Sequence, residues 1–359
     1  MSATPEVRSD AVWSAQGTTP DAIEAALRQL LIEVHSEHDN YVPARVLNMI
    51  AFVDREWTGE IANRLRGVGR YHASRLVVLA YEPRRERLDA RVMITSEGET
   101  EPGELALLHE TVVVELGDRH LDDLLTIADP LVVTDLPTLL WAPHGHHEIA
   151  AELLALSQAV LVDSVEEPIA HEALDRACSL ASQAYVVDLA WLRTTPWRER
   201  VAASFDPPSL RRELQTITSA TVRHHPASTV AAMLLSGWLA SRLQWRASPL
   251  VAHGDALVGQ AHGSRQDVSL RLEAAPELLV PGLESLTLET ASGRTLRLAR
   301  GRGGLHAHSR DARGQEHEWT IPGASRGEQG VLGEGIRQAL LRDPTYVPAL
   351  RAAQGLLSA

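Results

Sequence analysis

Residues 45–79 restrict the fold more than any other stretch of the chain. Residues 46–53 are apolar except for Asn48, the pattern of a strand covered on both faces, as in a parallel sheet. Trp57, Ile61, Leu65 and Val68 then fall on one helical stripe, while Glu60, Asn63, Arg64 and Arg66 face away from it. Gly67 can take the left-handed conformation that closes such a helix, and residues 76–80 form a second apolar run. Strand, helix, turn and strand make one βαβ unit, whose crossover is right-handed in nearly every known fold.

The rest of the first half extends this unit. Thr19-Pro20-Asp21 starts a helix, with Thr19 as the cap and Pro20 in the first turn. Ile23, Leu27, Leu30, Leu31 and Val34 supply its buried stripe. Strands are expected at 88–95, 111–116 and 159–163, with a short apolar run at 138–141 and a helix at 146–156. Alternation of this kind predicts an α/β domain over residues 19–165, a mostly parallel sheet with flanking helices. Residues 1–18 are small and polar and are expected to be disordered.

Glu166-Glu167-Pro168 interrupts the pattern and is taken as the seam before a C-terminal α+β domain, residues 166–359. Helices are expected at 170–184, 195–205 and 230–243, and strands at 185–189 and 217–222. From about residue 250 the strands alternate apolar and polar side chains. Ser292-Gly293 and Gly314 mark hairpin turns of an antiparallel sheet with one wet face. A length of 359 residues agrees with two domains, at roughly 100–200 residues each.

Composition excludes several functions. The net charge of −13 opposes non-specific nucleic-acid binding. All 34 basic residues are arginine, so Schiff-base chemistry and a lysine phosphate clamp are absent from this chain. The single cysteine, Cys178, cannot form an intrachain disulfide and reads as a small buried side chain on a helix. The first residues carry Glu6, Arg8 and Asp10 and no apolar core segment, so a secretory signal is not expected there, and no apolar run reaches the ~20 residues that span a bilayer. The expected location is the cytoplasm.

Five arginines, Arg55, Arg64, Arg66, Arg70 and Arg75, crowd the βαβ unit, and such a cluster can hold a phosphate or an acidic partner. A nucleotide fingerprint is not present. Gly67 and Gly69 give G-x-G, position 72 is His72, and the glycines follow the helix instead of opening it. His144, His146 and His147 offer imidazoles but lack the three or four ligands that zinc takes. Asp54, Asp135, Asp163 and Asp188 each follow an apolar run, where α/β enzymes keep acids, yet no G-x-S-x-G or other partner motif accompanies them. Trp191, Trp197 and Arg198 open a helix and are the residue types that dominate protein–protein contacts when exposed; alternatively both tryptophans fill the seam between the halves.

Several long strings resemble one family. Asp54-Arg55-Glu56-Trp57, Glu60-Ile61-Ala62-Asn63-Arg64 and Arg70-Tyr71-His72 are similar to the N-terminal half of OpcA proteins, and Asp129-Pro130-Leu131-Val132-Val133-Thr134-Asp135-Leu136 continues the likeness. So do Asp188-Leu189-Ala190-Trp191-Leu192-Arg193-Thr194-Thr195-Pro196-Trp197-Arg198 and Gly237-Trp238-Leu239-Ala240-Ser241-Arg242-Leu243. The resemblance covers roughly residues 20–250, loosens in the hairpin region, and is to the actinobacterial type. It implies a non-enzymatic assembly factor or allosteric activator of glucose-6-phosphate dehydrogenase in the oxidative pentose phosphate pathway, and hence a role in NADPH supply. It brings no catalytic residue, no metal and no cofactor. The cysteine-based redox control associated with cyanobacterial members has no dithiol here. Partner contacts are expected from Arg55, Trp57, Arg64, Arg66, Arg70, Trp191, Trp197 and Arg198. The competing expectation is an α/β enzyme or sensor that holds a sugar phosphate or nucleotide through Arg64, Arg66 and Arg70.

Overall fold

A computed structural model describes residues 8–37, 41–42, 45–69, 74–96, 106–322 and 327–357. The chain divides into two compact units. The first comprises Met1–Val162, Gln183–Val187 and Leu332–Leu341; the second comprises Asp163–Ser182, Asp188–Val331 and Arg342–Ala359.

The first unit is built on β3 (Leu47–Asp54) and β4 (Ser74–Tyr81), parallel and in register from Leu47↔Ser74 to Asp54↔Tyr81. Helix α2 (Thr58–Gly69) joins them, completing the expected βαβ unit. Seven of the eight β3 residues are buried, which is why the run is apolar on both faces. Asn48 is accommodated by hydrogen bonds: its amide donates to Val133 O at 2.9 Å and its oxygen accepts from Val133 N at 2.9 Å. Before these strands come β1 (Arg8–Ala15), α1 (Pro20–Glu37) and β2 (Tyr41–Val42); after them come β5 (Asp89–Ser96), β6 (Ala106–Leu116), α3 (Leu124–Ala128), β7 (Thr138–Trp141), α4 (His147–Leu153), β8 (Ala159–Val162) and, beyond α5 (Ala170–Ala181), β9 (Tyr185–Asp188). The sheet order is β1-β5-β6-β4-β3-β7-β8-β9, with β2 beside β6. The β6-β4-β3-β7-β8 pairs are parallel, while β1 and β5 are antiparallel additions at one edge.

Two expectations need correction. Residues 8–15 are not disordered: they pair with β5 through the register Trp13↔Val92. This edge strand is held by backbone bonds to a distant partner, so its weak apolar pattern carries little signal. Trp57 does not lie on the buried stripe. It sits in the 3-10 turn Arg55–Trp57 ahead of α2, 40% exposed, and the stripe begins at Ile61.

The second unit continues through α6 (Leu189–Arg193), α7 (Thr195–Phe205), α8 (Pro208–Arg211), β10 (Ile217–His224) and α9 (Thr229–Leu243). Short strands β11 (Arg246–Ala247) and β12 (Val251–His253) precede β13 (Ala256–His262), β14 (Asp267–Ala274), β15 (Leu283–Thr290), β16 (Thr295–Gly301), β17 (Gly304–Arg310) and β18 (Glu316–Pro322). Helices α10 (Gly327–Leu341) and α11 (Tyr346–Gly355) end the chain. The second sheet runs β11-β13-β14-β10-β15-β16-β17-β18 and is antiparallel except where β10 meets β14. Its strands alternate buried and open side chains, as in Val268, Leu270 and Leu272 against Ser269 and Arg271. Helix α9 is apolar almost all round and largely buried. It lies so close to α11 that a Cβ on Gly237 would stand 2.3 Å from Ala349 O. The fold is therefore mixed α/β, one sheet rich in parallel pairs and one rich in antiparallel pairs. Among the described residues no helix is long and apolar enough to cross a membrane.

Candidate functional site

In the first sheet β4 lies on one side of β3 and β7 on the other, so the strand order reverses at β3. Ligands of open α/β sheets bind beyond the carboxyl ends of the strands at such a reversal. Two segments meet there: Asp54 with the turn after β3, and the loop after β7. His146 Nε2 lies 3.0 Å from Asp54 Oδ1, without the geometry of a hydrogen bond. The His146 ring meets Phe52 edge-on at 5.0 Å and Tyr81 at 6.1 Å. His144, at φ +62°, reaches the exposed Trp57 ring at 5.2 Å. Tyr81 donates to Asp118, and this bond, followed by burial, pushes the phenol up to about 12. Asp118 is held below its usual range by the same bond and by Arg84 N.

This end of the sheet does not form a dinucleotide cradle. A pyrophosphate site at a helix N-terminus uses glycines and free N–H groups. Here the turn reads Asp54-Arg55-Glu56-Trp57-Thr58-Gly59, followed by Glu60, placing three carboxylates and an indole at the helix start. Among the described residues no group of three His, Cys, Asp or Glu side chains could hold a metal ion. The side chain of His147 lies outside the described residues.

The arginine cluster separates in three dimensions. Arg55 pairs with Glu82 and Glu115. Arg64 pairs with Glu60 one turn away at 2.6 Å. Arg75 enters β4 at its opposite end, where the buried Glu110 takes both Arg75 and Arg45. Each of these arginines already has a carboxylate, which removes the basis for one shared phosphate site. The Arg66 side chain and the whole of Arg70 lie outside the described residues.

The strings at 188–198 build a different structure, in the second unit. Trp191, Trp197 and Arg198 had two readings, an exposed contact surface or tryptophans that fill the interior; Trp191 is 2% and Trp197 5% exposed, and Arg198 is largely buried, so they do not form an exposed surface of this chain. Asp188 caps α6 by accepting from Ala190 N at 2.9 Å. It also accepts from Ser164 Oγ at 2.7 Å, Ser164 N at 3.2 Å and Tyr346 Oη at 3.0 Å. Burial raises its pKa, with these donors acting in the opposite sense. The Trp191 indole donates to Asp343 at 2.9 Å, and the Arg198 guanidinium carbon sits 3.5 Å from the Trp191 ring centre. Burial likewise disfavours the charged form of Arg198, and Asp343 opposes that. Asp163 takes Arg193 in a fork, both bonds at 2.7 Å. The group is a satisfied polar core that ties the α6–α7 corner to α11. Its hydroxyl and carboxylate partners, Ser164, Asp343 and Tyr346, had no signal in the local sequence. Cys178 is half-buried on α5, its Sγ 3.4 Å from Gln354 Oε1, and burial raises its pKa.

A family model described as the glucose-6-phosphate dehydrogenase subunit N-terminal domain matches residues 66–179, and its C-terminal counterpart matches residues 184–350. A Synechocystis protein with the provisional name OxPP cycle protein OpcA is 29% identical over 119 residues, 32% of this chain and 25% of the relative. A Nostoc punctiforme protein of the same provisional name is 31% identical over 142 residues, 38% of this chain and 30% of the relative. The matched stretches thus span under a third of these relatives' lengths. An oxidoreductase from Sinorhizobium meliloti shares the fold at a TM-score of 0.51 and 12% identity, over 87% of this chain and 95% of that one. With the two domain models lying end to end from residue 66 to residue 350, the chain belongs to the OpcA family of glucose-6-phosphate dehydrogenase assembly proteins.

Proposed function

We propose that the chain binds glucose-6-phosphate dehydrogenase and favours its active assembly, acting in the oxidative pentose phosphate pathway without bond chemistry of its own. The observation that carries this reading is the match of both domain models, each described as part of that dehydrogenase's subunit. The carboxylate-rich turn after β3 supports it, because it repels the pyrophosphate that a nicotinamide enzyme of this architecture would hold there. The paired arginines of the first unit support it as well. An activator shifts an equilibrium only by binding the active state more tightly than the inactive one. A tenfold preference needs about 1.4 kcal/mol.

Trp57 is the contact centre in this reading, with Arg55 on the same turn and Arg64 on the helix that follows. An exposed indole on a short, ion-paired turn is an inexpensive anchor, since little side-chain freedom remains to be lost on binding. The test mixes the purified chain with the purified dehydrogenase and follows co-elution and NADPH formation. Co-elution with a raised rate, both reduced by Trp57→Ala, is the expected result. A chain that leaves mass and rate unchanged, and itself turns over a phosphorylated substrate, would replace the reading with an enzymatic one.

A further inference from the structure

We propose that a cavity in the second unit, between the end of α9 and the β13–β14 turn, binds a small phosphorylated polyhydroxy metabolite. The cavity has a volume of about 280 Å³, at the lower end of small-molecule sites, which suits a sugar monophosphate and is too small for a dinucleotide. Arg211 and Arg242 line it, and none of its lining residues is acidic. The lining holds two guanidiniums and no acidic residue; Asp206 pairs with Arg211 from outside the lining, so the uncompensated charge is that of Arg242, in a chain of net charge −13.

Arg242 distinguishes this cavity from the rest of the surface. Arg55, Arg64, Arg75, Arg193, Arg223 and Arg271 all face carboxylates. Arg242 makes no ion pair or side-chain hydrogen bond with any described residue. Its place in the last turn of α9 favours a cation, but no helix carbonyl takes its fork. Arg211 comes from a separate element and is oriented by Asp206, through Nε to the carbonyl at 2.7 Å and Nη2 to the carboxylate at 2.9 Å. Two guanidiniums from different elements, one fixed at its edge and one unpaired, are suited to the bidentate grip of a phosphate dianion.

The remaining wall suits a hydroxylated body. Gln215, Gln244, Ser264 and Gln266 contribute amides and a hydroxyl, and the Trp245 ring contributes a flat apolar surface. Gln244 holds φ +58° at the helix end, a position where glycine is the usual occupant. Retaining a long amide there, against the strain of that conformation, places it in the wall. Gly263 keeps the rim open, since a Cβ there would crowd Gln266 O at 2.9 Å and approach Trp245 at 3.4 Å. A second cavity of about 340 Å³, lined by residues of α7, β16, β17 and β18, is larger, but Asp311 and Glu316 offset Arg294 there, so it has no such bias.

This proposal stands apart from the dehydrogenase reading and is tested on the chain alone. Amide resonances and heats of binding would be followed with hexose 6-phosphate, glycerol phosphate, inorganic phosphate and free hexose as probes. Saturable binding of the hexose phosphate, absent for free hexose, is expected. Arg242→Gln and Arg211→Gln should each weaken it by about tenfold to a hundredfold, the effect of losing one charge-assisted bond. Both side chains are exposed, so the variants keep the fold. No saturable binding below about 10 mM, or equal affinity in the variants, would overturn the proposal. So would inorganic phosphate binding as tightly as the ester, because the amide and indole wall would then contribute nothing.

Discussion

Removing a single oxygen tests the polar core around Asp188. Tyr346→Phe deletes one of the four donors to this carboxylate, at 3.0 Å, and leaves the ring packed 5.6 Å from Trp191. Tyr346 is 1% exposed and Asp188 equally buried, so water cannot replace the lost hydroxyl without rearrangement. A hydrogen bond to a charged group contributes about 1.5–3 kcal/mol, and three donors remain, so the expected loss is about 2 kcal/mol where Asp188 is ionised. For a unit of this size that lowers the midpoint of its thermal transition by about 4–8 °C. The pH dependence follows from the direction of the Asp188 shift. Burial raises the folded pKa above the unfolded value of 3.8. The stability linked to this group is therefore fully present below that value and is lost as pH rises through the folded pKa. Tyr346→Phe raises the folded pKa further, because it removes a donor that favours the anion. The penalty should thus be about 2 kcal/mol above the folded pKa of Asp188 and shrink toward about 1 kcal/mol below it, where the bond is to a neutral carboxyl. Denaturant unfolding followed by tryptophan fluorescence at several pH values measures both. A loss under about 0.5 kcal/mol across the pH range, or a loss that does not grow as pH rises, would refute the assignment of Tyr346 Oη as a donor to the Asp188 carboxyl.

Other expectations follow from single contacts. Gly237→Ala puts a methyl 2.3 Å from Ala349 O and 2.7 Å from Ala353 N, so α9 and α11 must separate; a loss of about 2–3 kcal/mol is expected from denaturant midpoints. Tyr81 should ionise near 12 in ultraviolet titration, and Asp118→Asn should move it down toward the ordinary 10.0, with burial and Asp54 still holding it above that value. Because the folded pKa is the higher one, stability linked to Tyr81 is present below 10.0 and lost as pH rises through about 12. Trp57→Ala should leave the thermal transition of the chain within about 1 °C while weakening dehydrogenase binding roughly thirtyfold, the effect of removing an aromatic anchor of about 2 kcal/mol. Calorimetry on the chain alone and on the mixture separates the two.

Much of the scaffold can be read from local pattern. Residues 47–53 and 77–80 are buried in a parallel sheet, so burial writes itself into an apolar run that only Asn48 interrupts. The hairpins after residue 250 bury one face, and alternation follows. Strand β1 escaped because its half-exposed residues are held by hydrogen bonds to β5, some 80 residues on, and not by apolar contacts of their own. The candidate site was less legible. Trp191 and Arg198 do meet, but the carboxylate they share is that of Asp343, more than a hundred residues downstream. Arg55, Arg64 and Arg75 are close in sequence yet point to different carboxylates, because a strand end, a helix face and the opposite strand end diverge. Arg242 was legible only as a letter in a family string; its lack of an acidic neighbour is a three-dimensional fact.

The account depends most on preferential binding to the active assembly of the dehydrogenase. Sedimentation of the dehydrogenase at fixed concentration, titrated with this chain, measures that preference directly. The account predicts that the active oligomer grows at the expense of the smaller species, with this chain sedimenting in it. An oligomer distribution that stays fixed while the chain remains free would contradict it.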